Sequence, residues 1–132
     1  MKNPDAAAQD LLAGIDDVPE RKYFHGRSLV GILDGSFEDT GQAVSAYNGQ
    51  QFGLYCERSI KTDEYKYVLN STDTDELYCL AEDPYELKNL INDSRHKAVL
   101  DELRLRLFVE LERCGDPILK WCRAQLIEGR KL

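Results

Sequence analysis

The stretch Glu76-Leu77-Tyr78-Cys79-Leu80-Ala81-Glu82-Asp83-Pro84-Tyr85-Glu86-Leu87-Lys88-Asn89-Leu90 decides the fold. Leu77 and Cys79 alternate with Tyr78 and Leu80, the period of two by which a short strand shows different residues on its two faces. The strand should end before Asp83. Asp83-Pro84-Tyr85-Glu86 then has the chemistry of a helix start: an Asp to accept an orphan backbone N–H, a Pro where no N–H is needed, and a Glu three residues on to close a capping box. The alternative for the same residues is a well-punctuated turn.

Downstream, Ser94 or Asp93 can open a long helix from about Arg95 to Cys114. Leu100, Leu103, Leu107, Leu111 and Cys114 recur at steps of three and four, with Phe108 beside them, which gives one continuous apolar stripe. An isolated helix of this length draws most of its stability from packing, so the stripe needs a covering surface. A sheet face is the expected one; a homo-oligomer seam is the alternative. Gly115 supplies a left-handed stop, and Asp116-Pro117 restarts a helix carrying Ile118, Leu119, Trp121, Cys122 and Leu126. Trp121 is expected to anchor against the same core.

Upstream, Ala43 to Tyr47 reads as a strand and Asn48-Gly49-Gln50 as a turn. A second strand is expected between Phe52 and Thr62. It leads through Asp63-Glu64 into Tyr65-Lys66-Tyr67-Val68-Leu69-Asn70, where Tyr65, Tyr67 and Leu69 share one face. After the polar turn Ser71 to Asp75 comes the strand around Leu77. Four strands with short links make an antiparallel meander. The fold class is therefore α+β: a small four-stranded antiparallel sheet packed against a long C-terminal helix, with short flanking helices. One of these runs from an Asn3 cap and Pro4 through Ala7, Ala8, Leu11 and Leu12 to Gly14.

At 132 residues the chain fits one domain able to bury about two thirds of its unfolded surface. Apolar residues at 42% with charged residues at 31% suit a globular chain. No run approaches the roughly 20 apolar residues of a membrane span, and Met1 to Asp5 lack the apolar stretch of a secretory signal. The net charge of −7 would repel a phosphate backbone, which argues against nucleic acid as a partner. Cys56, Cys79, Cys114 and Cys122 contain no C-x-x-C pair and lie far from His25 and His96, so a structural zinc site is not expected, and the thiols read as small buried hydrophobes rather than disulfides. Asn70-Ser71-Thr72 and Asn92-Asp93-Ser94 are sequons that matter only in a secretory compartment. No phosphate-cradling glycine motif is present.

The string Glu-Leu-Tyr-x-Leu-x-x-Asp-Pro-x-Glu-x-x-Asn-Leu closely resembles the signature near the C-terminus of sulfatases, the formylglycine-dependent sulfate-ester hydrolases of the alkaline phosphatase superfamily. Glu76, Leu77, Tyr78, Leu80, Asp83, Pro84, Glu86, Asn89 and Leu90 carry the match; Cys79 stands where that family usually has Asp. Arg58 to Thr62 followed by Tyr65-Lys66-Tyr67 is similar to a sulfatase hairpin, with Lys61 in place of its second arginine. Leu11 to Ile15, Val18-Pro19-Glu20 and Gly26 to Leu29 are similar to the segment leaving the catalytic domain. The resemblance spans roughly Leu11 to Trp121. It implies that residues 1–40 link from a catalytic domain lying outside the chain and that residues 41–132 form the C-terminal subdomain.

Sulfate-ester hydrolysis needs a nucleophile, positive charge on the sulfuryl oxygens and a proton donor for the leaving alcohol. The family takes its formylglycine from Cys or Ser in C/S-x-P/A-x-R and holds calcium with Asp and Asn. None of the four cysteines is followed by that pattern, and Asp16-Asp17 lack a companion Asp-Asn. His25-Gly26-Arg27-Ser28 offers no nucleophile beside His25. The expectation is thus no catalytic residue, metal ligand or cofactor within this chain, calcium and formylglycine being implied for a full-length member. The resemblance makes the catalytic domain the partner and a sulfate ester the substrate of the whole. Tyr47, Asn48 and Arg58 are the candidates for the substrate rim, although an arginine in a strand more often points to solvent. A stand-alone protein-interaction module and a phosphoester or phosphonate hydrolase of the same superfamily are the alternative readings.

Overall fold

Alternation becomes four strands: β1 (Ala43–Asn48), β2 (Cys56–Lys61), β3 (Tyr65–Asn70) and β4 (Glu76–Cys79), hydrogen-bonded in chain order and antiparallel throughout. The computed structural model describes residues 35–36, 41–49 and 56–128. Two compact units divide the chain, Met1–Thr40 and Gly41–Leu132, and all these elements belong to the second. The proposed helix from Asn3 to Gly14, the His25 cluster, Asp16-Asp17 and the stretch from Gln50 to Tyr55 lie outside the described residues. Of the expected second strand, Cys56 is the first described residue.

The β2–β3 hairpin closes on Thr62, whose hydroxyl accepts from the Tyr65 amide at 3.0 Å while the Thr62 amide donates to the Tyr65 carbonyl at 2.8 Å. Pairing then sets Ile60 opposite Tyr67 and Tyr67 opposite Leu77. Ile60, Tyr67, Leu69 and Leu77 are fully buried on one face. A helix covers that face. Asp93 caps a single 3-10 turn (Ser94–His96) by accepting from the Arg95 amide at 3.0 Å, and α1 (Lys97–Cys114) follows without a break. Leu100, Leu103, Leu107, Phe108 and Leu111 are buried, as the stripe requires, with Cys114 half-buried at its end. Gly115 is left-handed at φ 66°; its amide reaches the Glu112 carbonyl at 3.1 Å and the Asp116 amide reaches Leu111 at 2.9 Å, which turns the chain into α2 (Leu119–Glu128).

Two expectations are corrected. Asp83 to Glu86 form a turn and not a helix, the alternative left open by the sequence. A capping box needs the Asp83 amide for Glu86, but that amide already donates to the Cys79 carbonyl at 2.8 Å. Glu86 sits at φ 56°, outside the helical region, and its carboxylate meets Lys66 of β3 at 2.5 Å. Asp83 instead accepts from the Lys88 amide at 2.8 Å, and Asn89 clips the turn back onto the sheet, accepting from the Leu77 amide at 3.1 Å and donating to the Asp75 carbonyl at 3.1 Å. Trp121 is the second correction. It is 71% exposed, because the buried face of α2 carries Cys122, Gln125 and Leu126, in line with the buried Ile118 just ahead of it, and Trp121 falls outside that phase.

One carboxylate lies inside the core. Asp75, 3% exposed, accepts from the Tyr67 hydroxyl at 2.9 Å, the Asn70 amide at 3.1 Å and the Gln125 side chain at 2.6 Å, with Arg104 of α1 at 3.4 Å. Burial, followed by the charge of Asp75, pushes the Tyr67 hydroxyl well above its ordinary range, so it remains a donor. This network joins β3, the β3–β4 turn, α1 and α2. Asn70 adds to it by donating to the Thr74 carbonyl at 2.8 Å, which also engages the amide of the first sequon.

Two outcomes follow for equilibrium unfolding in urea. Leu107→Ala should lower stability by about 2–5 kcal/mol, the cost of a cavity under a fully buried leucine. Asp75→Ala should cost roughly 3–5 kcal/mol, because it orphans several buried donors and leaves the Arg104 charge without its partner; a loss under 1 kcal/mol would remove the network from the account of this fold.

Candidate functional site

Arg58 lies on the β2 face that also carries Ile60, two residues along, so its side chain leaves the sheet toward the helices. It is 4% exposed, which corrects the expectation of a solvated strand residue. The guanidinium forks onto Asp116 at the α1–α2 corner, with Nε to Oδ2 at 2.7 Å and Nη2 to Oδ1 at 3.2 Å. Its Nη1 donates to the Glu57 carbonyl at 2.8 Å, the Asn48 side-chain oxygen at 3.0 Å and the Tyr47 carbonyl at 3.2 Å. Tyr47, Asn48 and Arg58 are thus brought together at one end of the β1–β2 pair, where Asn48 opposes Cys56.

Their roles differ. Arg58 is engaged on every nitrogen by protein acceptors, so it cannot grip an anion without releasing Asp116; it holds the end of β1 in place. Tyr47 keeps its ring 57% exposed while its carbonyl is fixed, and no described residue accepts from the Asn48 amide nitrogen. These two side chains can meet a ligand. Asp116 does double duty, since its Oδ1 also accepts from the Ile118 amide at 2.9 Å ahead of α2. Burial raises its carboxyl pKa, but the Arg58 hydrogen bonds and the Ile118 amide outweigh burial and leave it below the ordinary carboxylate value.

Sequence reasoning missed Asp116 and the Asp75–Gln125 contact. Arg58 and Asp116 are 58 residues apart, so no local spacing couples them. A signal did exist: Arg58 shares strand phase with Ile60, and an arginine on a core-facing phase calls for a carboxylate. The motif residues turn out to hold the scaffold. Tyr78 donates to Glu76 at 3.0 Å, and burial, followed by that hydrogen bond, pushes its hydroxyl up to about 12.

The described residues do not fit a divalent cation. No three His, Cys, Asp or Glu side chains among them converge on a point, and Asp75, the most buried carboxylate, turns both oxygens to protein donors. No disulfide joins the cysteines. Among the described residues no helix is long and apolar enough to cross a membrane.

The Arg58–Asp116 fork should be visible in stability against pH. With a folded-state pKa below the unfolded one, Asp116 stabilises the fold above about pH 4 and loses that contribution as pH falls through its lower folded value. Asp116→Asn should therefore be less stable than the parent by about 1–3 kcal/mol at pH 6, with the gap closing by pH 2–3 in denaturant titrations. A gap independent of pH would mean that the carboxylate charge is irrelevant here.

Comparison with known proteins bears on this arrangement. The model of the family described as N-sulphoglucosamine sulphohydrolase, C-terminal, matches residues 2–113. An uncharacterized protein of Haemophilus influenzae is 28% identical over 115 residues, 85% of this chain and 59% of that protein. A protein of Escherichia coli named uncharacterized sulfatase YidJ is 39% identical over 56 residues, 42% of this chain and 11% of that protein. Among solved structures, BT1596, a 2-O GAG sulfatase, aligns with a TM-score of 0.66 at 30% identity, covering 83% of this chain and 24% of that one. The phosphonate monoester hydrolase of Agrobacterium radiobacter shares the fold with a TM-score of 0.55 at 24% identity, covering 68% and 21%. The match thus takes in only part of each of these longer proteins. With most of its length matched by the family model, the chain belongs to the N-sulphoglucosamine sulphohydrolase C-terminal family, the C-terminal domain of sulfatases.

Proposed function

We propose that this chain acts as the C-terminal subdomain of a sulfuric ester hydrolase, contributing the rim of the substrate pocket while a separate catalytic domain supplies the formylglycine nucleophile and the calcium. The observation that carries the reading is the family match over residues 2–113, with BT1596 supporting it at 30% identity. The rim role falls to the exposed Tyr47 ring and the Asn48 amide, with Arg58 as a positioning residue beneath them. An aromatic face and an amide donor, held by a buried guanidinium, suit a polar, ring-shaped substrate such as a sulfated sugar. Phosphonate hydrolysis is the second reading, favoured by the fold shared with the Agrobacterium enzyme.

On this proposal the purified chain does not turn over substrate, because no C/S-x-P/A-x-R sequence is present to make the nucleophile. Incubation with an aryl sulfate should release no phenol above buffer; measurable turnover would falsify the claim. In an enzyme that joins this subdomain to its catalytic domain, Asn48→Ala should raise KM for a sulfated saccharide about fivefold with kcat nearly unchanged. That factor corresponds to the loss of one hydrogen bond worth ~1 kcal/mol. Unchanged KM in both Asn48→Ala and Tyr47→Ala would take this hairpin end off the rim. A phosphonate monoester turned over in preference to the sulfate would select the second reading.

A further inference from the structure

We propose that Cys56 and Cys122 are an oxidisable pair that a peroxide converts into a disulfide joining β2 to α2. Four observations bring the two thiols together. Cys56 lies on the β2 face of Arg58 and Ile60, since alternate residues share a face, and it packs against the core that contains Cys122. Cys122 is on the buried face of α2, one turn after Ile118 and three residues before Gln125. Both ends of this segment are tied to the sheet around Cys56. At its start Asp116 holds Arg58, two residues from Cys56; farther on, Gln125 donates to the Asn70 carbonyl at 3.2 Å, and the next residue, Ser71, donates its amide to the Cys56 carbonyl at 3.2 Å. The segment of α2 between those two ties therefore runs over the end of β2, with Cys122 on its inner side.

The other cysteines are placed differently. Cys79 opposes Tyr65, at the far end of β3 from Asn70, about 17 Å away at the rise of a strand. Cys114 ends α1, on the other side of the corner from Cys122. Burial raises the Cys122 thiol above its ordinary value, followed by the charge of Asp75, and Cys56 contributes to the same rise, as a close neighbour would.

The chemistry assigns distinct roles. Cys56, half-buried, is the thiol hydrogen peroxide reaches; it gives up its proton, its thiolate attacks the O–O bond and takes one OH to become a sulfenic acid, and the displaced hydroxide takes up the thiol's proton and leaves as water. Cys122, buried, then attacks the sulfenic sulfur, and its proton leaves with the departing hydroxide as a second water. Two thiols and one peroxide become one disulfide and two waters. The bond would lock the start of β2 to α2 next to the Arg58–Asp116 fork and so stiffen the end of the β1–β2 pair.

Trypsin separates all four cysteines, in peptides 28–58, 67–88, 114–120 and 121–123. The full chain, exposed to hydrogen peroxide under native conditions and digested without reduction, should yield peptide 28–58 joined to 121–123. The product is lighter than the two peptides together by two hydrogen atoms. Cys56→Ser and Cys122→Ser should each abolish it, whereas Cys79→Ser and Cys114→Ser should leave it. Cross-links through Cys79 or Cys114, oxidation of Cys56 to the sulfinic acid with no cross-link, no reaction at all, or a cross-link that forms only in denaturant would each overturn the pairing. Because the wild-type digest alone identifies the bond, a serine variant that fails to fold does not obscure the result.

Discussion

A four-stranded meander with Ile60, Tyr67, Leu69 and Leu77 on one face cannot leave that face in water, and everything else in this fold answers to that constraint. The α1 stripe exists to cover it, and its leucines recur at the helical period for the same reason the strand residues recur at two. Burial of each large apolar side chain contributes about 1.5–3 kcal/mol, so the four sheet residues and the helix residues above them supply the dominant stabilising term. The 3-10 turn capped by Asp93 fixes where α1 begins, and the glycine corner fixes where it stops.

Covering the sheet completely would require apolar groups wherever backbone is buried, yet the exposed β3–β4 turn ends on a buried Asp75 that side chains of both helices reach. Asp75 resolves this by accepting from groups on several elements. A buried carboxylate is tolerated only with such partners, and a half-satisfied network would be worse than none. Arg58 is the counterpart near the same end of the sheet, on the next strand, where it opposes Leu69: a buried cation satisfied by Asp116, by the Asn48 side chain and by backbone oxygens of β1 and of its own strand. These two polar nodes, one anionic and one cationic, orient α2 against β2 and β3.

The strand order, the α1 stripe and the glycine stop were legible in the sequence because each depends on residues close along the chain. Long-range choices were not. Gln125 takes an interior position on α2 because Asp75 needs a donor there, while Trp121, far more apolar, is left outside by helical phase. Asp83 to Glu86 carry every residue type of a helix start, but the Asp83 amide had already been claimed by Cys79 before a helix could use it. Tyr47, Asn48 and Arg58 are joined by hydrogen bonds from the guanidinium. The buried role of Arg58 depended on a carboxylate 58 positions away that no periodicity reveals.

The corner at Gly115 links two matters usually treated apart. A single left-handed residue ends one helix, and the very next residue is the one that grips Arg58. Adding or removing one amino acid there would displace Asp116 by about 3.8 Å, one Cα step along the chain, and carry its carboxylate away from the Arg58 guanidinium. Natural variation at this corner should accordingly take the form of replacements and not of insertions or deletions, making the spacing between the glycine and the aspartate a more durable mark of the fold than the residues on either side.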